Sequence, residues 1–585
     1  MSGQSPQSTG GLSARFGMWR ARRAPAVAKG FVSQPEPRSI GLYARGNQLL
    51  AGNFFVAGQL VTAPNTSIWD IPMPRATGAF TLPDDRTGFA WLDDLAAVAD
   101  APARKVAQDW TFEWIKRFGA GRGDGWSADL TGRRLIRWVN HAPFLLTGRK
   151  GADSARFFAE ASAQVYYLSR QWPKTPPGIA RIEALTGLIY AGLSLDGLAE
   201  FVPAAETALA KECDRGIAAD GGIATRSPEE LLEVFTLLTW AEHAMANVGR
   251  PPPRALSAAI ERIAPCLRML RHADGGLARF HGGGRGVEGR LDQSLAAAGI
   301  KAAGFTGPTL GMGFARLSAG RTSVIIDVAA PPKGDAGGNG HASTAAFELT
   351  SGRRPLIVSC GSGRPFGADW WRAGRATASH SALSVEGSSS SRMMGARGHE
   401  AGDSFGDGAK VRDFKQAALA DGLHLSLTQD GWSKSHGLAH TREVWLTPDG
   451  RKLAGLDRMA ALLEPEKKRL AKVLSDHWVE GIGITLRFHL HPDVNATLDM
   501  GGKAVSLALK SGEIWVFRHD ARATLTLEPS IYLEKTRLRP RQTQQIVLTC
   551  RAREEDTRIG WTLAKAKDTP LGIRDVERDE LSVPM

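Results

Sequence analysis

From about residue 90 to residue 300 apolar side chains return every three or four positions, the period of helices that bury one face. Val106, Trp110 and Trp114 form one stripe, and Gly119 and Gly121 stop it. Leu135, Trp138 and Val139 begin a second. Phe157, Phe158, Ala161, Val165, Leu168 and Trp172 make a third, closed by Pro173. Ile182, Leu185, Leu188 and Ile189 predict a fourth helix, and Leu231, Val234, Leu238 and Ala241 a later one. Glycine-rich turns divide them, and two echo each other: Ala219-Asp220-Gly221-Gly222-Ile223-Ala224-Thr225-Arg226 and Ala273-Asp274-Gly275-Gly276-Leu277-Ala278-Arg279-Phe280. Antiparallel helix pairs that stack on their neighbours, as in an incomplete α/α toroid, satisfy this pattern.

Beyond about residue 310 the period falls to two, at Thr322–Val328, Leu356–Val358, Leu383–Val385, Leu423–Leu427 and Val444–Leu446. The segment Ile484–His491 is the clearest strand, with Arg487, His489 and His491 on the face opposite its apolar residues. Many strands with one apolar face predict an antiparallel β-sandwich of two large sheets. The expected fold class is therefore α+β in two domains, a toroid over residues 39–305 and a sandwich over 306–585. Residues 1–38 read as a disordered basic arm carrying Arg15, Arg20, Arg22 and Arg23, with no apolar core of a secretory signal.

A chain of 585 residues is long enough for two such cores. Its formal charge of +13 suits an anionic partner, or reflects a generally arginine-rich proteome. No apolar run is long enough for a transmembrane helix. Nucleic acid is not expected as a partner, because no recognition module accompanies the charge. The four cysteines lie far apart without CxxC spacing and read as free or buried thiols. Along 131–141, Arg134, Arg137 and His141 share one helical stripe with Asn140 beside it, which is either a carboxylate-binding face or simply a solvated one.

Four motifs carry a family resemblance. They are Gly340-His341-Ala342-Ser343-Thr344-Ala345-Ala346-Phe347-Glu348-Leu349, Ala376-Thr377-Ala378-Ser379-His380-Ser381, Gly437-Leu438-Ala439-His440-Thr441-Arg442, and Arg487-Phe488-His489-Leu490-His491-Pro492. Together they resemble the heparinase II/III-like polysaccharide lyases, over roughly residues 40–570. The resemblance implies an acidic, uronate-containing polysaccharide as substrate, β-elimination in a cleft between toroid and sandwich, and residence in the cell envelope or periplasm. The absence of a standard signal makes the cytoplasm the alternative. A homodimer is compatible with the sandwich edges.

Elimination next to a carboxylate needs three things: a group that neutralises it, a base, and an acid for the leaving oxygen. By the resemblance Asn140 and His141, with Arg134 or Arg137, would neutralise the carboxylate. His341 or His380 would be the base. Arg226, Glu230, His440, Arg442 and His489 would contact substrate, with a role on the ladder face of the sheets as the alternative for His440, Arg442 and His489, and a helix cap or a replacement acid as the alternative for Glu230. His341 and His380, with Cys360 nearby, would alternatively hold a structural zinc, since imidazole and thiolate suit that ion, or would simply be hydrogen-bonded within a polar face of the sandwich.

The chain departs from the family where chemistry is done. Glu230 and Leu231 stand where the family has its Tyr-His pair after Ser227-Pro228, and Asn339 stands where the first histidine of the histidine strand would be. Ser359-Cys360-Gly361 replaces an Asp-Pro-Gly that offers zinc an aspartate. Tyr166, Tyr167 and Tyr190 are the remaining candidates for the acid, against a core role for each. A non-catalytic glycan-binding or envelope-assembly protein on the same fold is thus the alternative to a lyase.

Overall fold

A computed structural model describes residues 12–566 apart from 24–26, 37–38, 57–58, 73–84, 124, 301–308, 394–404, 407, 477–479, 536 and 538. The helical stripes fall in Ala101–Arg117, Ala128–Asn140, Gly151–Gln171, Ile179–Ser194 and Pro228–Asn247. Two further helices, Val202–Gly216 and Arg254–Met269, continue the antiparallel stacking of an incomplete α/α toroid. Asp100 caps the first of the stripes by accepting a hydrogen bond from the Ala103 amide at 2.7 Å. Ser227 plays the same part for Pro228–Asn247. Trp114, Trp126, Trp138, Phe89 and Phe157 fill the centre with edge-on and stacked ring pairs.

One packing detail positions the site. A Cβ on Gly187 would lie 2.3 Å from the Cα of Gly132, so helices Ala128–Asn140 and Ile179–Ser194 meet backbone to backbone. Arg133 on the first is thereby brought onto Glu183 of the second, with two parallel hydrogen bonds of 2.7 and 2.9 Å.

The sandwich is an eight-stranded and a nine-stranded sheet, with every described strand pairing antiparallel. All the strands expected from the period-two segments are present, and Ile482–Leu490 sits centrally in the nine-stranded sheet. Between the sheets, Phe347 stacks on Trp561 at 5.6 Å while Phe488 meets the same indole edge-on. The last toroid helix is Arg290–Ala297 and the first sandwich strand Thr309–Gly311. The expected boundary at 305/306 lies outside the described residues.

The amino-terminal segment differs from the expected disordered arm. Residues Leu12–Ala21 form a helix that buries Ala14, Met18 and Ala21 against Gly151–Gln171. Gly17 lets it approach closely, since a Cβ there would be 3.0 Å from the Tyr167 ring. Small residues on the docking face, masked in the sequence by the surrounding arginines, make this approach feasible. Residues 1–11 of the expected arm lie outside the described residues.

The two echoing turns prove to be one device used twice. In each, an aspartate side chain accepts from the amide two residues on (Asp220 from Gly222, Asp274 from Gly276, both 3.0 Å). A single β-bridge spans each turn, Ile217 with Ile223 and Arg271 with Leu277. Each turn then sends an arginine into the sandwich. Arg226 donates to the carbonyls of Met312, Gly313 and Ala330 and to the Asp327 carboxylate, and Arg279 to the carbonyls of Ser359, Cys360 and Leu533.

Candidate functional site

Where the toroid turns meet the sandwich a cleft of about 530 Å³ opens. Toroid residues supply most of its wall, and Asn339 and Lys535 close it from the sandwich. Its apolar surface comes from Ile40, Leu42, Ile136, Ile179, Leu237, Val287 and Trp240. Its charged lining is five cations, Arg45, Arg133, Arg137, Arg290 and Lys535, against six carboxylates, Asp93, Asp94, Glu183, Glu229, Glu230 and Glu233.

Most of these cations are matched one by one. Arg133 holds Glu183, and Arg137 donates to Asp93 Oδ2 at 2.8 Å and to the Gly88 carbonyl. Arg290 is paired with Glu233, and Lys535 with Glu229, which also accepts from the Gly284 amide at 2.8 Å. Burial pushes Asp93 up, but Arg137 and His141 outweigh it and hold the carboxyl at about 2. Burial wins at Asp94, raised to about 6 although it accepts from the Leu42 amide and feels Arg45. It wins also at Glu183, raised to about 7, and it raises Glu230, which Lys535 opposes. The anionic partner that the net charge suits therefore meets no surplus of positive charge in this cleft. The lining is balanced and slightly acidic.

Of the expected site residues, Arg137 and Glu230 line the cleft. His141 stands one layer behind, its Nε2 donating to Asp93 Oδ1 at 2.8 Å, and so positions the partner of Arg137. Asn140 is buried in the toroid. Its Oδ1 accepts from Tyr190 at 2.7 Å, and its Nδ2 has no partner among the described residues. Arg134 is a correction. It is fully buried, donates to Gln164 and to the Thr87 and Gly125 carbonyls, and stacks on Trp114 and Trp126. A guanidinium so enclosed cannot reach substrate. Adjacent residues of one helical stripe parted because the helix faces the cleft only along its Arg133–Arg137 edge.

His440, Arg442 and His489 are corrected as well. His440 and Arg442 both donate to Asp457 Oδ1, at 2.7 and 2.8 Å, while Trp561 donates to its Oδ2, all inside the sandwich. Arg442 also reaches the carbonyls of Ala345 and Ser381 and so ties one sheet to the loops of the other. His489 donates through Nε2 to the Ala378 carbonyl at 2.9 Å, which leaves Nδ1 to accept from Ser530 at 2.7 Å. Arg226 latches the first Asp-Gly-Gly turn to the sandwich, so its role passes from substrate contact to structure.

His341 and His380 form a buried chain whose tautomers the backbone dictates. The Gly282 amide donates to His341 Nε2 at 3.0 Å. His341 Nδ1 must then carry the proton it shares with His380 Nε2 at 3.2 Å, and His380 Nδ1 donates to Ser359 Oγ at 3.0 Å. His281 joins through Nδ1, which accepts from the His341 amide at 3.1 Å, while its Nε2 lies 3.4 Å from Asp327 Oδ2. Burial holds His380 at about 3 and His341 and His281 below the ordinary imidazole value. With both ring nitrogens engaged, neither His341 nor His380 is placed to take a proton from a substrate in the cleft.

The same tautomers test the zinc. A metal on His341 Nδ1 would require the proton on Nε2, against a backbone N–H already pointing there. Cys360 lies beside His489 instead, its Sγ 3.5 Å from that ring's Nδ1. Among the described residues no group of three His, Cys, Asp or Glu side chains could hold a metal ion. The donor set does not fit zinc. Nor is any tyrosine among the described lining residues: Tyr167 donates to the Trp126 carbonyl, and Tyr190 serves Asn140.

Several lining residues carry no signal in the sequence: Asp93, Arg133, Glu183, Glu229, Glu233, Arg290 and Lys535. They are scattered along the chain with no common spacing. One local signal existed. His281 precedes Gly282-Gly283-Gly284, and Gly282 (φ 77°) admits no Cβ, which would lie 2.8 Å from that of Asn339. A histidine before a glycine run marks a place where backbone must come close.

Comparison with known proteins agrees with the architecture. A family model described as Heparinase II/III-like, C-terminal, matches residues 308–562. FtsZ-localized protein C of Caulobacter vibrioides is 30% identical over 579 residues, covering 94% of this chain and 96% of that protein. Among solved structures, heparinase III aligns with a TM-score of 0.66 at 14% identity, over 95% of this chain and 89% of that one. A mutant of heparan sulfate lyase HepC from Pedobacter heparinus gives 0.57 at 13%, over 95% and 88%. At such identities these structures speak for the fold.

Proposed function

The chain belongs to the heparinase II/III-like family, and from that premise we propose that it is a glycan-binding member engaged in cell-envelope assembly, with the cleft kept for recognition and elimination lost. One observation carries this reading: four of the five lining cations, Arg133, Arg137, Arg290 and Lys535, are already paired with carboxylates of the same cleft, and the fifth, Arg45, acts on Asp94 through its charge. Drawing Arg137 away from Asp93 would leave that buried carboxylate with His141 alone, a cost approaching that of an uncompensated buried charge, about 3–5 kcal/mol, before any sugar contact is made. The chemistry lacks its other parts too. His341 and His380 have no free nitrogen, and no tyrosine is among the described residues that line the cleft.

What remains is a balanced polar wall with Trp240 and aliphatic side chains, suited to a neutral or N-acylated sugar ring that stacks on apolar surface and hydrogen-bonds at its rim. The relative named for localisation with FtsZ supports a role in assembly rather than in turnover. An eliminative reading keeps one specific support: Glu230 stands at the family's tyrosine position, lines the cleft and is raised by burial, as a general acid should be.

The decisive measurement incubates the chain with heparan sulfate, alginate and capsule fractions while following ultraviolet absorbance of the unsaturated uronate, beside calorimetric titration with neutral N-acetylated oligosaccharides. The expected result is no absorbance rise, and neutral-sugar binding that Trp240→Ala weakens about tenfold or more. An absorbance rise that Glu230→Gln abolishes would establish the lyase instead.

A further inference from the structure

The helix Leu12–Ala21 has two apolar stripes. Ala14, Met18 and Ala21 face the toroid, and the same helical spacing begun two residues earlier puts Leu12, Phe16 and Trp19 on its outer side. These three are 84%, 59% and 51% exposed, whereas large apolar side chains on a soluble helix ordinarily turn inward. They are ordered on the surface by their neighbours. Phe16 and Trp19 stack at 5.7 Å, the Arg20 guanidinium lies 6.0 Å from the Phe16 ring, and that of Arg23 lies 3.6 Å from Trp19. Arg15 is exposed on the same helix, while Arg22 turns inward to Glu160 at 2.6 Å and fixes the helix in place.

Beside the end of this helix lies a second hollow of about 650 Å³. Its floor includes Ala21 and Ala163, and the exposed Val27, Lys116 and Arg156 stand at its edge. Aromatic rings flanked by arginines, next to a hollow of mixed lining in which Glu160 is already paired with Arg22 and whose edge carries Lys116 and Arg156, match one environment: rings at the acyl boundary and guanidinium groups among anionic headgroups. No described helix is long and apolar enough to cross a membrane.

We propose that this face, the outer side of Leu12–Ala21 with the adjoining hollow, docks the protein on an anionic lipid surface. The docking is independent of the cleft, and a folded toroid is its scaffold. Each arginine near a charged leaflet strengthens binding on the order of fivefold, and the rings supply the part that salt does not remove.

The test is co-sedimentation of the full chain with vesicles of phosphatidylcholine alone and of phosphatidylcholine mixed with phosphatidylglycerol, at low and high salt. The expected result is binding to the mixed vesicles, weakened but not abolished by salt. A Phe16→Glu/Trp19→Glu double variant should bind at least about tenfold more weakly, and an Arg15→Gln/Arg20→Gln/Arg23→Gln variant should lose its preference for phosphatidylglycerol. Both should melt like the unaltered protein, because the altered side chains point to solvent. Binding to neither vesicle, or equal binding by the Phe16/Trp19 variant, would overturn the proposal. So would vesicle indifference alongside a heparin affinity that only the arginine variant loses, which would make the face a site for soluble polyanions.

Discussion

At the scale of single residues, the imidazoles that look most catalytic are the most thoroughly buried. His281, His341 and His380 are kept neutral by enclosure, and His341 and His380 also by hydrogen bonds that use both ring nitrogens. A base whose folded pKa is depressed contributes stability that is whole above its unfolded value, ordinarily 6.5, and declines as pH falls below it. Asp94 and Glu183, raised by burial, act in the opposite direction over the same range, so the net acid response mixes signs. A difference measurement isolates the histidine. His380→Gln should be destabilised at about pH 7.5, and its deficit relative to the parent should shrink by up to about 1.4 kcal/mol per pH unit below roughly 6.5. Urea melts at a series of pH values check this, and a deficit independent of pH would mean that His380 is not held neutral. The histidine motifs were readable in the sequence, but not their burial. Alternation says that two residues share a face, and only the fold says whether that face looks on a cleft or on another layer.

At the scale of elements, the helix and strand periods carried through because each is enforced by one buried face. The amino-terminal helix escaped because its buried face offers one large apolar side chain, Met18, between Ala14 and Ala21, too little to register as a stripe among arginines. The repeated Asp-Gly-Gly turns were visible as an echo, though their purpose was not: each places an arginine shortly after the aspartate into the carbonyls of the sandwich. Arg226 is the stronger latch, because Asp327 is wholly buried and also accepts from Ser343 at 2.6 Å. Arg226→Met would strand that carboxylate and three carbonyls, at a cost of about 3–5 kcal/mol. The loss should fall on the joint between the domains. Calorimetry is then expected to resolve one cooperative transition into two, toroid and sandwich melting apart. A single transition moved down in temperature without splitting would show that Arg226 stabilises one domain internally.

At the scale of the whole molecule, the formal charge of +13 and the charge of the cleft are separate quantities. Net charge acts at a distance and steers encounters, whereas a carboxylate in a cleft responds to the groups it touches. Five cations against six carboxylates leave the cleft without a surplus positive charge, so the excess resides on outer surfaces. The helix Leu12–Ala21 and the hollow beside it are one such place. Composition could reveal the excess but not its location, which is why an acidic substrate followed so readily from the sequence. The separation predicts how the chain should behave on immobilised heparin, a polyanion that reports surface charge. Arg137→Ala or Lys535→Ala, each removing a paired cleft cation, should leave the eluting salt concentration nearly unchanged. Arg15→Gln/Arg20→Gln/Arg23→Gln should lower it clearly, because counterion release scales with the number of anionic groups the surface neutralises. If the cleft variants were the ones to elute early, a sulfated chain would be reaching Arg137 and Lys535 past their carboxylates, and the cleft would have to open to acidic glycans by breaking its own ion pairs.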